Sequence, residues 1–412
     1  MKTYDHLIIG GGIAGVTAAE TIRSRDADAA IGIISHEPHF LYSRVLLPAY
    51  IKKKIRREQI FLRTEDDFIQ RGIDLLRGRT AERVDTAARR VVLADGEEIG
   101  YGKLLISAGG RVQAWTHGKA EQNIFRLQTL DDADRLSVAL DTVRRPVVVG
   151  SSFIALEFIE TFLLRSIAPR VLVRGPHLFD TMLDEDGASL LDEHLTQKGA
   201  ELIYSDEISG LAHQGALVQI ETHRGNILET DALGVGIGVA RNISFLEGSG
   251  IACGRGVYTD ALLETNVPGV FAGGDIAEYF DTRLQRRVMV GNWTNAMLQG
   301  RHAGLNMTGA KIPFYAVPTY SIVNLGLNIT ALGECDGTLE SVSRMDRTTR
   351  RYERFFMRDG VLVGAFLINQ FADKPFLTEL IARGVVVAPY AERLNDMSFD
   401  IRAISAIMQK RI

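Results

Sequence analysis

The chain has 412 residues, 46% of them hydrophobic and 24% charged, with a formal net charge of −4. That length exceeds one small core and predicts two or three globular domains. The slight negative charge argues against a nucleic-acid binder. No unbroken apolar run reaches membrane-spanning length. The N-terminus enters a strand with no room for a signal peptide, so a cytoplasmic protein with no membrane partner is expected. The two cysteines, Cys253 and Cys335, lie far apart in sequence. They form neither a CxxC pair nor a metal-ligand cluster, and no metal site is expected.

The first predicted element is the apolar strand Tyr4-Asp5-His6-Leu7-Ile8-Ile9. It runs into Gly10-Gly11-Gly12-Ile13-Ala14-Gly15, and a helix follows from around Ala14. This is the G-x-G-x-x-G turn of a dinucleotide-binding unit. Gly10 permits the tight turn, Gly12 lets the backbone approach a pyrophosphate, and Gly15 allows close helix–strand packing. The pyrophosphate then meets unpaired N–H groups at the helix start. Ile31 to Ile34 reads as the second strand, and Glu37 follows at a distance suited to holding a ribose hydroxyl pair. A basic run comes next, Lys52-Lys53-Lys54-Ile55-Arg56-Arg57. Then Arg89 to Leu93 and the turn Asp95-Gly96 predict a hairpin, and Lys103 to Ile106 a buried strand that ends in Ser107-Ala108-Gly109-Gly110.

A second, altered fingerprint follows: Val147-Val148-Val149-Gly150-Ser151-Ser152-Phe153-Ile154-Ala155. Ser152 and Ala155 stand where the second and third glycines would be. Both are small, and a helix-opening serine still suits a phosphate. The next predicted strand, Val171-Leu172-Val173-Arg174, lacks the acid that holds an NAD ribose; Arg174 and His177 can instead meet a 2′-phosphate, or form an exposed turn with no ligand. The βαβ pattern closes with Ala232 to Gly238, and the strand Val267 to Ala272 leads into Gly273-Gly274-Asp275. From residue 311 the pattern changes to alternating strands such as Tyr352 to Phe356 and Val361 to Phe366, which predict an α+β domain. Two nucleotide-shaped units imply two cofactors that exchange electrons.

Taken together, Gly10 to Gly15, Tyr42-Ser43-Arg44, Ser107 to Gly110, the second fingerprint ending in Leu156-Glu157, Phe271 to Asp275, and Asn292-Trp293 through Gln299-Gly300 are specific. The chain resembles the pyridine nucleotide–disulfide oxidoreductase superfamily. Within it, the chain is most similar to the ferredoxin- and rubredoxin-reductase-like branch, which also supplies the flavin domain of assimilatory nitrite reductases. The resemblance implies an α/β fold with two Rossmann-like domains, one for FAD and one for NAD(P), plus a C-terminal α+β domain. The implied boundaries are 1–115 and 243–310 for the split FAD domain, 116–242 for the NAD(P) domain and 311–412 for the last.

It also implies cofactor-binding positions at Gly10, Gly12, Ile13, Ala14, Gly15, Glu37, Arg44, Pro48, Ala108, Gly109, Gly274, Asp275 and Trp293 in the FAD segments. In the NAD(P) segment the positions are Gly150, Ser152, Phe153, Ile154, Arg174 and Gly238. Arg44 would lie near the FAD phosphates, Asp275 at the ribityl chain, and Glu157, the catalytic candidate, where nicotinamide docks. Trp293 either packs the core or touches the ring.

Two departures stand out. The family's disulfide reductases carry a redox cysteine early in the FAD domain, whereas no cysteine here precedes Cys253, so a thiol relay is not expected. In ferredoxin-reductase relatives a lysine commonly follows the Tyr-x-Arg segment beside the flavin; here the aligned stretch is Leu47-Pro48-Ala49, so flavin tuning is expected from elsewhere. The expected activity is FAD-dependent NAD(P)H oxidation with hydride transfer at flavin N5, and NADH versus NADPH stays open. The expected partner is a small iron–sulfur electron-transfer protein. The run at Lys52 to Arg57, with Arg344, Arg347, Arg350, Arg351 and Arg354, either steers that acidic carrier or is a solvated face. Two alternatives are a flavoprotein subunit or sensor with a degenerate nucleotide site that acts through assembly, and an NAD(P)H oxidase.

Overall fold

A computed structural model describes residues 1–113, 122–215 and 217–404. The chain forms two compact units. One comprises Met1–Tyr50, Ile55–Arg111 and Val239–Ala316; the other comprises Ile51–Lys54, Val112–Gly238 and Val317–Ile412.

The first unit is built on a sheet in the order Ile73–Arg77, Ile31–Ser35, Lys2–Ile9, Glu98–Ile106, Arg90–Leu93, Ala81–Asp85, with Val270–Ala272 also paired to Glu98–Ile106. The strands around Lys2–Ile9 run parallel, and the hairpin strands at the edge run antiparallel. Leu7 and Ile9 join one hydrophobic cluster and Ile8 another. Burial on both faces explains why its end, Leu7 to Ile9, reads as an apolar run rather than an alternating one. The helices Ile13–Arg25 and Trp293–Met307 pack closely together. A side chain at Gly300 would strike the Ala14 carbonyl, and one at Gly304 the Ala18 carbonyl.

The second unit contains a parallel sheet in the order Glu201–Tyr204, Arg170–Val173, Pro146–Val149, Ala232–Val235, Ile124–Phe125. A three-stranded antiparallel sheet, Ile208–Gln214, Leu217–Thr222 and Ile227–Thr230, packs on it through Val218, Ile220 and Leu228. The helix Phe153–Leu163 is buried almost all round, including Glu157 and Glu160. The same unit holds a five-stranded antiparallel sheet, Thr319–Asn324, Leu327–Gly333, Val361–Ile368, Arg351–Arg358, Glu340–Asp346. Leu377 and Leu380 of the helix Lys374–Arg383 join its core.

Part of the arginine cluster expected to steer a partner lies inside this core instead. Arg344 is 4% exposed and Glu353 fully buried. The Arg344 guanidinium pairs with Glu353, lies 3.8 Å from Asp373, and donates to the carbonyls of Asp396 (3.0 Å) and Phe399 (2.8 Å). Arg354 is also buried, bonded to Ser341 and lying over the Phe356 ring. A guanidinium's planar fork suits such multiple bonding, and a residue spent on it cannot steer anything in solution.

Replacing Arg344 by Met leaves a buried carboxylate without its cation. The expected cost is about 3–5 kcal/mol of unfolding free energy, measurable by denaturant titration. Burial pushes the Glu353 carboxyl up to about 7, against the opposing pull of Arg344. Its folded pKa exceeds its unfolded one, so its contribution is complete at low pH and is lost as pH rises towards neutrality. Unfolding midpoints across that window are expected to fall with rising pH, with a shallower slope in Glu353→Gln.

Candidate functional site

In the first unit the chain leaves the strand Lys2–Ile9 at Gly10, where φ is +118° and a side chain would strike the Ser107 carbonyl. Only glycine combines that backbone with that approach. The Gly10 N–H bonds the Ile34 carbonyl at 2.8 Å, fixing the turn to the neighbouring strand. Gly12 then opens the 13-residue helix Ile13–Arg25, with no side-chain cap and no acid in the first turn. The N–H groups of Ile13, Ala14 and Gly15 therefore lack a capping partner. A Cβ on Gly12 would meet nothing within 4 Å, so the space in front of them is open. At Gly15 the reverse holds: a Cβ would press on the Gly10 carbonyl, Ser107 Oγ and Ile8.

Glu37 and Arg44 come together. Arg44 donates to Glu37 Oε1 at 2.5 Å and the Tyr42 hydroxyl to Oε2 at 2.5 Å. Gly274 packs against the Ala14 methyl, a Cβ there lying 3.0 Å from it, which sets Asp275 beside the start of the helix. Burial pushes the Asp275 carboxyl up, and the guanidinium groups of Arg241 and Arg44 pull it back. Sequence reasoning missed Arg241, whose Nε is buried without a partner. No local motif marks it; only the fold brings it to Asp275. The Ala108 and Gly109 carbonyls are braced by Asn242, through its side chain at 3.0 Å and its backbone N–H at 3.2 Å. Pro48 sits in the short helix Leu47–Ile51. Trp293 is half-buried and packs against the core around Ile8 and Phe271.

In the second unit Gly150 repeats the turn with φ +124°, and a side chain there would strike the Gly236 carbonyl. Ser152 caps the backbone of the helix Phe153–Leu163 without a side-chain bond to it. Its hydroxyl donates to the Gly236 carbonyl at 3.1 Å, so the helix N–H groups, rather than that hydroxyl, are left to meet an anion. Ala155, fully buried, fills the third-glycine position. Phe153 forms an aromatic group with Tyr320 and Phe179, at ring separations of 4.3 and 4.7 Å, and Ile154 beside it is half-buried. Arg174 is exposed beyond the strand Arg170–Val173, and His177 bonds the Leu178 carbonyl at 2.9 Å. The Gly238 carbonyl accepts from the Gln113 N–H at 3.1 Å.

The basic run does not form one solvated face. Lys52 is buried, its side chain 5% exposed, and its ammonium bonds Glu157 at 2.6 Å and also Glu160. A lysine thus reaches Glu157 from three positions beyond the residue where Ala49 offers none. The signal for it was present in Phe153–Leu163, where two glutamates interrupt an otherwise apolar helix. Buried carboxylates require a cation or donors. Lys53, Lys54 and Arg56 remain exposed.

Neither cysteine is set up as a thiolate. Cys335 donates to the Leu332 and Ala365 carbonyls, and burial pushes its thiol up to about 12. Burial also pushes the Cys253 thiol up. A nucleophilic or redox-active thiol needs the opposite shift. Among the described residues, no group of His, Cys, Asp and Glu is arranged to hold a metal ion. No helix there is long and apolar enough to cross a membrane.

A family model described as pyridine nucleotide-disulphide oxidoreductase matches residues 4–300, and one described as reductase C-terminal matches 324–405. The chain is 30% identical over 421 residues to the 5,5′-dehydrodivanillate O-demethylase ferredoxin reductase subunit of Sphingobium sp., covering 98% of this chain and 99% of that one. It is 29% identical to the NADH-dependent phenylglyoxylate dehydrogenase subunit epsilon of Aromatoleum evansii, covering 94% of each. The crystal structure of a ferredoxin reductase from Rhodopseudomonas palustris superposes with a TM-score of 0.89 at 26% identity, covering 97% of this chain and 99% of that one.

The open space at Gly12 generates a direct test. Gly12 has φ −77° and no neighbour within 4 Å of a Cβ, so Gly12→Leu is expected to fold. Its isobutyl group fills the space before the helix N–H groups. Purified variant is expected to be colourless, with circular dichroism like that of wild-type protein stripped of flavin. A yellow variant with full flavin occupancy would place the binding elsewhere.

Proposed function

Because the chain belongs to the pyridine nucleotide-disulphide oxidoreductase family, we propose that the open turn at Gly10 to Gly15 receives the FAD pyrophosphate and the altered turn at Gly150 to Ala155 that of NADH. The protein is an FAD-dependent NADH oxidoreductase that passes electrons to a small iron–sulfur carrier without a redox-active disulfide. One observation carries the site assignment: each unit ends a parallel strand in a positive-φ glycine placed two residues before the N-cap of a helix of more than ten residues. That geometry presents unpaired N–H groups and the positive end of the helix dipole to an anion.

Roles for individual residues follow. The N–H groups of Ile13, Ala14 and Gly15 bind the first pyrophosphate. Glu37, held by Arg44 and Tyr42, offers its carboxylate to ribose hydroxyls, and Arg44 answers phosphate charge. Asp275 accepts from hydroxyls of the ribityl chain, with Arg241 orienting it. Pro48, Ala108, Gly109 and Trp293 shape the flavin pocket. Phe153 and Ile154 supply N–H groups to the nucleotide pyrophosphate, Arg174 lies along the adenosine half, and Gly238 closes the turn. Glu157 stands where nicotinamide docks. Bound flavin would supply the redox chemistry, hydride acceptance at N5 and one-electron release. The chain's own task is to bind, align and exclude water. We place the protein in the cytoplasm, as its free thiols suit a reducing compartment.

The partner carrier is read as an acidic iron–sulfur protein, in keeping with relatives named as ferredoxin reductases. Of the basic run, Lys53, Lys54 and Arg56 are exposed and left to steer it once Lys52 is set apart, and Arg347, Arg350 and Arg351 are exposed as well.

Anaerobic addition of NADH to the yellow protein is expected to bleach the flavin band rapidly. No bleaching would remove the nicotinamide reaction and favour a purely structural subunit. A Cys253→Ser, Cys335→Ser double variant is expected to keep its NADH-dependent dye reduction within about twofold, since neither thiol has a thiolate's setting. Its loss with flavin intact would restore a thiol step. With Lys53→Glu and Arg56→Glu together, carrier reduction is expected to slow through association while dye reduction holds. The wild-type carrier rate is expected to fall with salt, because exposed charges are screened beyond about 8–10 Å. A salt-independent carrier rate, or normal carrier reduction by the reversed variant, would make those residues a solvated surface.

A further inference from the structure

In the second unit one buried ammonium faces two buried carboxyl groups. Glu157 and Glu160 lie on the same side of the helix Phe153–Leu163, 7% and 4% exposed. One ammonium, that of Lys52, donates to both. With both carboxyl groups ionised, the cluster would hold an uncompensated charge away from water, which a low-dielectric interior strongly disfavours. Two carboxyl groups that share one site release their protons in separate steps, and the first leaves far more readily than the second.

The donors around the two acids are unequal. Glu160 Oε1 accepts from the Leu325 N–H at 3.1 Å, and Oε2 from Asn324 Nδ2 at 3.2 Å as well as from Lys52. Asn324 is itself 2% exposed and anchored to the Leu156 carbonyl at 3.1 Å. Glu157 takes Lys52 on Oε2 at 2.6 Å, and among the described residues Oε1 has no donor. The remaining ionisable neighbours of Glu157 are the Tyr320 phenol and the exposed Lys54. Hydrogen bonds to a carboxylate stabilise the charged form, so the negative charge belongs on Glu160.

We propose that this cluster holds one proton at neutral pH, on Glu157, and that Glu160, with Asn324 and Leu325 donating to it, is the positioning residue that keeps it there. Lys52 and Glu160 form the ion pair, and Glu157 is the neutral acid beside it. The direction agrees with burial, which pushes the Glu157 carboxyl up against the pull of Lys52. This deepens the reading of Glu157 given above and rests on it for its consequence: the residue meets nicotinamide nucleotide as an acid with a proton to hold or donate, not as a carboxylate.

Carbon-13 NMR of the flavin-loaded protein, labelled at glutamate Cδ, tests this. The two lines are assigned by their loss in Glu157→Gln and in Glu160→Gln. In wild-type protein at neutral pH, the Glu157 line is expected at the position of a protonated acid, moving only on the alkaline side. The Glu160 line is expected to stay at the carboxylate position. In Glu160→Gln, Lys52 is left to Glu157 alone, and its midpoint is expected to fall by about one pH unit or more, a tenfold change in acid strength. Two carboxylate lines at neutral pH, or a protonated Glu160, would overturn the proposal. If either variant misfolds, the infrared difference spectrum between neutral and alkaline pH decides, taken on Glu353→Gln protein labelled at glutamate Cδ so that neither Glu353 nor any aspartate contributes: loss of a labelled protonated-carboxyl stretch supports the proposal, and its absence overturns it. Neither measurement uses NADH or a carrier. Failure here leaves the oxidoreductase reading standing, and failure of flavin bleaching leaves this one standing.

Discussion

The unpaired N–H groups at the start of the helix Ile13–Arg25 are the constraint on which the first unit depends. A helix must leave its first donors unsatisfied or satisfy them locally, and this one has no capping side chain and no acid in its first turn. Everything around it keeps the space ahead of it clear. Gly10 takes a backbone that other residues resist, Gly12 projects nothing, and Gly15 lets the helix sit down on Ser107 and Ile8. Gly274 and Gly300 bring a second strand end and a second helix against Ala14, so Asp275 arrives beside the start of that helix.

The second unit meets the same constraint with different residues. Ser152 and Ala155 replace two glycines, and the structure shows why the turn survives. The serine hydroxyl satisfies the Gly236 carbonyl, and the alanine methyl is fully buried. The serine hydroxyl is taken up by that carbonyl, and the backbone N–H groups at the helix start have no side-chain cap. The altered fingerprint therefore keeps the geometry of the turn.

Buried charge is the other recurring theme. Lys52 with two glutamates, and Arg344 with Glu353 and Asp373, each set one cation against two acids inside the same unit. Such clusters are poor sources of net stability but strict about geometry, because any lost partner leaves an unpaired charge. They also take cations out of the surface inventory. A count of Lys and Arg along the chain overstates the charge available to a partner protein by these residues.

The first fingerprint, the two strand–glycine–helix turns and the absence of an early cysteine were all legible in the chain, because each depends on neighbours a few residues apart. Backbone conformation and helix ends are local, and so is the requirement for glycine at Gly10. The place of Lys52 was not legible. In sequence it is the first residue of a basic run, and only the fold of the second unit carries it to Glu157 and Glu160, more than a hundred positions away. Arg241 reaches Asp275, and Arg344 reaches Glu353 and Asp373, in the same way. Whether a charged side chain faces water or a buried partner depends on contacts between distant segments. Composition and spacing describe the charge, and tertiary structure alone decides what answers it.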